Sequence, residues 1–308
     1  MKQISRKCIS FFLLLIFFTN NLFAFGMVRK KSSTAKPPLN SPSVSPPISI
    51  PTSPDSQYVE YIKELAGKSQ CLKYSWKNRG RAPAGFVKGI ALSFARSLCR
   101  YKKYDAQSNL KIDSLLSHAS TGNGKKDVIT YYASELQSLN LNINENGEEP
   151  IRAVYLIGLG LGMRESSGKY CTGWDTSAGS NRPSSAAEAG VFQVSYDSIG
   201  ASAELVKLYN EYKNSDSSRC FLSVFKEGVS CGNASILGNG AGAEFQKYLK
   251  ACPAFASEYA MVLLRILRNH FGPINRKEAE VISSCNDLLL SVQELIERDS
   301  IYACTDIN

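Results

Sequence analysis

The chain has 308 residues but only two histidines, His118 and His270, and no Cys-x-x-Cys pair among its nine cysteines. Two imidazoles so far apart in sequence do not make a zinc motif, so neither a structural metal nor a cofactor is expected. Strand signals are scarce, the best being the short stretch Gly190 to Tyr196, and no internal repeat is present. One mainly helical domain is therefore expected, rather than the two that length alone would allow. Charged residues make up 20% and hydrophobic ones 44%, a balance that excludes a disordered polymer or a coiled coil. Outside the extreme N-terminus no segment approaches the roughly 18 uncharged apolar residues of a spanning helix, so no integral membrane domain is expected. There is also no nucleophile elbow for a Ser-His-Asp hydrolase.

The first segment reads as a targeting device. Lys2, Arg6 and Lys7 form a positive start, Ile9 to Phe18 an apolar stretch of ten residues, and Leu22-Phe23-Ala24 a cleavage site, which predicts a signal peptide over 1–24. Cys8 precedes the apolar stretch, against a lipoprotein signal. Residues 25–56 read as a linker, since seven of the twelve prolines fall there among many Ser and Thr; such a segment is extended and buries no core. The catalytic or binding domain is then 57–308, and the protein is exported, periplasmic or secreted.

Export changes the reading of the cysteines. Cys71, Cys99, Cys171, Cys220, Cys231, Cys252, Cys285 and Cys304 make up to four disulfides, in 105 possible connectivities. The net charge of +9 is carried mostly by the leader and linker, each holding three of the excess positive charges, which leaves the folded part near +3. A nucleic-acid footprint is absent, and a mildly basic exported domain suits an anionic wall polymer.

Helical periodicity recurs over 58–66, 86–101, 127–139, 149–165, 203–212, 243–249, 257–271 and 276–298. Val154 to Met163 (VYLIGLGLGM) carries no charge, which marks a helix buried on nearly every side. Gly158, Gly160 and Gly162 cost helix propensity there, and their use is close approach of neighbouring helices. A dinucleotide loop fails on pattern, because Met163 stands where the third glycine belongs.

Glu165 closes this helix on the face of Val154 and Leu161. A carboxyl on a buried face at the negative end of a helix dipole resists ionisation. It then either keeps a proton to donate, as a general acid does, or pairs with an arginine such as Arg152 or Arg182 and merely ends the helix.

The surrounding residues favour the acid. The run Gly162-Met163-Arg164-Glu165-Ser166-Ser167-Gly168-Lys169-Tyr170-Cys171, followed by Ala189-Gly190-Val191-Phe192-Gln193-Val194, resembles the lysozyme-like superfamily. Goose-type lysozymes and lytic transglycosylases have a Glu-Ser closing a buried helix and, twenty-odd residues later, a Gly-Leu-Met-Gln-like turn. With His270-Phe271-Gly272-Pro273-Ile274, the chain is most similar to a group of secreted lysozymes of predatory bacteria that act on deacetylated peptidoglycan. The resemblance covers roughly 150–285.

It implies a lysozyme-like helical domain around the buried central helix, with at most a very small β element and disulfide staples. It implies hydrolysis of the β-1,4 link between N-acetylmuramic acid and glucosamine units of peptidoglycan glycan strands by a monomer, with Glu165 as general acid. Asp175, in Gly173-Trp174-Asp175, is the first choice for a second carboxylate, and Glu188 the second. Substrate binding falls to Ser166, Glu188, Gln193, Ser195 and Tyr196, while Phe192 belongs to the core and His270 caps a helix end. Goose-type enzymes carry an Asp soon after the Gln, where this chain has Ser195. That departure brings in lytic transglycosylases, which use one Glu and the muramic acid's own 6-hydroxyl. The reading from another class is a non-catalytic glycan-binding module.

Overall fold

The apolar run forms the inside of a helix, Glu148–Ser166, in which every residue from Pro150 to Met163 is buried. The computed structural model describes residues 57–107 and 111–307; the expected leader and linker lie outside the described residues. Glu148 and Glu149 stand in the first turn, where their charges suit the helix dipole. Around this central helix pack Ala84–Gln107, Lys111–Ser117, Pro253–Ile266 and Ser283–Arg298. The fold is mainly helical, and its one sheet among the described residues is a two-stranded hairpin pairing Ser75 with Arg81 and Trp76 with Gly80.

Gly158 and Gly162 admit neighbouring helices, as expected, whereas Gly160 admits a loop. A Cβ on Gly158 would meet the end of the Met261 side chain, which can swing aside, but one on Gly160 would lie 2.4 Å from the backbone oxygen of Glu280. Gly160 thus lets the 276–282 loop rest directly on the helix. Gly160→Ala should cost about 1–3 kcal/mol through overpacking, offset in part by helix propensity, and should lower the thermal midpoint more than Gly158→Ala does. Equal midpoints for the two variants would refute this packing.

The helix expected over 86–101 runs on to Gln107, and four further elements differ. Gly190 to Tyr196 is not a strand, because Gly190 (φ 77°) and Gln193 (φ 48°) are left-handed and turn the chain; only an isolated bridge joins Ala189 to Val194. The 127–139 helix is split into Val128–Tyr131 and Ala133–Gln137 by Tyr132 at φ −100°, ψ 18°. The 257–271 helix starts earlier, at Pro253, and ends at Ile266. The last long helix starts at Ser283, since Lys277 is left-handed (φ 53°) and 276–282 is the loop seated on Gly160.

All eight cysteines of the described residues are paired: Cys71–Cys285, Cys99–Cys304, Cys171–Cys231 and Cys220–Cys252. The first two close loops of 214 and 205 residues, which fastens the N-terminal helices to the C-terminal ones and removes entropy from the unfolded chain. Four disulfides fit an oxidising compartment and hence an exported protein. No helix among the described residues is long and apolar enough to cross a membrane.

A buried ion pair completes the scaffold. Asp127, fully buried, accepts from Ile129 N at the start of its helix and from Arg265 Nε at 2.9 Å. Arg265 spends its remaining donors on the carbonyls of Leu116, His118 and Ala119.

Candidate active site

The central helix ends where Ser167 (φ 56°) and Gly168 (φ 73°) turn left-handed. Gly168 N then reaches Gly162 O and Ser167 N reaches Met163 O, each at 3.1 Å, a closure that satisfies the last carbonyls. The Ser166 hydroxyl lies 3.1 Å from Gly162 O and 2.8 Å from Val191 O, and it accepts from Lys169 N. One side chain therefore ties the helix end to the 190–193 turn, so the two sequence elements meet. Phe192 is fully buried, as expected, and packs beside Gly162.

Glu165 is half-buried and forms no ion pair among the described residues. The arginines considered from sequence are engaged elsewhere: Arg152 with Glu149 and Gln293, Arg182 with Ala186 O. Burial raises the Glu165 carboxyl to about 8, and the charge of Glu188 adds to the rise against Arg276, Arg79 and Arg164. Two of these cations are blunted by Glu278, which binds Arg276 Nε at 2.8 Å and Arg164 Nη2 at 3.0 Å. Glu278 in turn is held down to about 2, first by Arg276.

The other carboxylates form a graded series. Glu188 is raised by burial and by the charge of Asp175, with Arg182 opposing. Asp175 is exposed, accepts from Ser177 N at 2.9 Å and Ser177 Oγ at 2.7 Å, and is lowered by those bonds. Its charge acts on Glu188 and is not among the influences on Glu165. Of the two carboxylates named from sequence, Glu188 is the one electrostatically coupled to Glu165.

The expected binding residues are more local in their bonds. Gln193 is buried and donates from Nε2 to Gly190 O at 2.8 Å, which closes its own turn. Ser195 is buried, and its carbonyl accepts from the Ser198 hydroxyl at 2.6 Å. Tyr196 stacks edge-on against Phe245 at 5.6 Å. His270 sits in the short turn Arg268–His270 that follows Pro253–Ile266, with Nε2 buried and its pKa lowered by burial.

A cleft of about 240 Å³ opens beside Glu165, lined also by Arg79, Lys169, Thr172, Asn233 and the Cys171–Cys231 disulfide. Two wider hollows, of about 590 and 620 Å³, lie elsewhere. Their carboxylates are all paired, Glu60 with Lys63, Glu64 with Lys68, Glu227 with Lys88 and Glu204 with Lys207, whereas the smaller cleft holds the unpaired Glu165. Sequence reasoning missed Arg79, Asn233, Arg276 and Glu278. Arg79 arrives on the tip of the hairpin and donates to Arg164 O, and Glu278 lies in the loop that was expected to be helical.

The Cys171–Cys231 bond holds both walls of the cleft, with Gly173 N bonded to Asn233 O and Gly190 N to Thr172 O, each at 2.8 Å. Removing it in a Cys171→Ser, Cys231→Ser variant should speed hydrogen exchange in 167–190 and 231–235 while the central helix stays protected. Uniform loosening of helix and loop together would contradict a local role. Among the described residues no group of three or more His, Cys, Asp or Glu could hold a metal ion. Compared with models of protein families, with curated proteins and with solved structures, the chain matches none.

Proposed function

We propose that this chain is an exported peptidoglycan glycosidase with a lysozyme-like fold, and that Glu165 is its general acid. The supporting observation is an unpaired carboxyl that stays protonated to about pH 8 in a cleft at the end of a buried helix. Such a group gives its proton to the leaving glycosidic oxygen as positive charge builds on the sugar. Glu188, which lies outside the cleft lining but whose charge reaches Glu165, is the carboxylate assigned to take a proton from the attacking water. Arg276, Arg164 and Glu278 set the charge around the acid and act through it, as positioning residues.

A second reading has its own support. Asp175 is committed to Ser177, and in this reading Glu188, itself raised by burial, takes no proton from water and serves only to hold the proton on Glu165. The glycosidic bond then breaks as Glu165 protonates the leaving oxygen, the muramic acid's own 6-hydroxyl bonds to the anomeric carbon while the ionised Glu165 takes its proton, and the enzyme is a lytic transglycosylase.

Mass spectrometry of soluble products from native and de-N-acetylated peptidoglycan separates the possibilities. Reducing-end muropeptides are the expected result, and their restriction to one substrate gives the preference for acetylation state. Anhydro-muramyl ends would move the assignment to transglycosylase. No products from either substrate would leave a glycan-binding module.

A further inference from the structure

The cleft beside Glu165 has an unbalanced charge. Its lining includes two cations, Arg79 and Lys169, and a single acidic side chain, Glu165 itself. Arg79 is exposed and donates to the backbone oxygen of Arg164, and neither Arg79 nor Lys169 has a carboxylate partner among the described residues. The other two arginines near Glu165, Arg164 and Arg276, are both answered by Glu278. The sequence around the site thus neutralises one pair of cations and leaves the other pair open to the cleft.

Position makes this more than a solvated surface. Lys169 follows the helix closure, and its backbone N–H is bonded to the Ser166 hydroxyl. Arg79 is carried on the hairpin Ser75–Trp76, Gly80–Arg81 and fixed to the helix end through Arg164 O. The two therefore come from separate elements to one cleft beside the same acid, Arg79 held by its guanidinium and Lys169 by its backbone. The rest of the lining, the disulfide Cys171–Cys231 with Ser166, Ser167, Thr172, Gly232 and Asn233, contributes no charge.

We infer that this cleft is an anion subsite, in which Arg79 and Lys169 receive a carboxylate carried by the glycan next to the bond that Glu165 protonates. The inference rests on the glycosidase reading for its ligand. A guanidinium matches a carboxylate with two parallel hydrogen bonds, and an ammonium adds a point charge. Peptidoglycan offers carboxylates of two origins, the lactyl group of muramic acid where its stem peptide has been removed, and the stem peptide itself where it is present. Both place the anion on the muramic acid, so the subsite sets which sugar of the repeat lies against Glu165.

Binding, rather than turnover, keeps the test separate from the glycosidase reading. Affinity is measured with Glu165→Gln protein, which keeps the cleft neutral at that position, for three glycan oligomers: intact with free stem carboxylates, intact with those carboxylates converted to methyl esters, and stripped of stem peptides so that the lactyl carboxylate is free. The expected result is at least tenfold tighter binding of a free-carboxylate oligomer than of the ester, weakening with salt. That discrimination should vanish when Arg79→Ala and Lys169→Ala are added. Preference for the intact acid assigns the stem peptide, and preference for the stripped oligomer the lactyl group. Lys169→Ala alone, which removes a side chain with no hydrogen bond among the described residues, should lose part of the discrimination without touching the fold. Equal affinity for all three oligomers, or discrimination that survives the double replacement, overturns the subsite. No cleavage of the same oligomers by the wild-type protein, with discrimination intact in Glu165→Gln, would instead count against the glycosidase reading alone.

Discussion

Glu165→Gln is expected to lower turnover on peptidoglycan by two to four orders of magnitude, the usual weight of a general acid, while glycan binding persists. In the wild type, activity should fall as pH rises through about 8, where Glu165 gives up its proton. Glu188→Gln should move that fall to lower pH, because it removes the charge that adds to burial in holding the proton on. The same shift has a sign for stability. Below the ordinary value of 4.5, Glu165 is protonated whether the chain is folded or not; between 4.5 and about 8 only the folded chain holds the proton, so stability decreases as pH rises. Above about 8 the folded state bears the full cost of an ionised buried carboxyl, on the order of 2–5 kcal/mol. Glu165→Gln should therefore be the more stable protein at pH 9, and a thermal midpoint no higher than that of wild type there would contradict the burial argument.

Asp127→Ala should be the costliest single change to the scaffold. It leaves the Arg265 guanidinium buried without its carboxylate partner and also removes the cap on Val128–Tyr131. Breaking such a pair from one side costs about 3–5 kcal/mol. Replacing both partners by apolar residues should cost less, because no lone charge then remains. Denaturant unfolding with the disulfides intact measures both, and a loss below about 1 kcal/mol for Asp127→Ala would show that the carbonyls of Leu116, His118 and Ala119 suffice for Arg265.

Much of this architecture was legible in the residues. The uncharged run of the central helix and its glycines announced burial and close approach, because only a surrounded helix tolerates both. The even count of cysteines beyond the expected leader announced disulfides, though connectivity depends on distances that spacing does not encode. Glu165 was legible through its face and its helix end. What sequence did not reveal was the company it keeps. Arg276 and Glu278 fit a helical pattern and stand instead in a loop, since backbone contact at Gly160 outweighs local propensity. Arg79 reaches the site from 86 residues upstream of Glu165 on a hairpin too short to leave a periodic signal. Gln193 and Tyr196 were chosen by residue type, yet a left-handed turn binds the first to Gly190 and ring packing engages the second with Phe245.

The most direct test is a carbon-13 titration of the Glu165 side-chain carboxyl in the folded, oxidised protein, assigned by its loss in Glu165→Gln. The account predicts a midpoint near 8 that falls in Glu188→Gln. A midpoint near the ordinary 4.5 would mean that Glu165 is ionised at neutral pH and has no proton to give, and the general-acid assignment would fall with it.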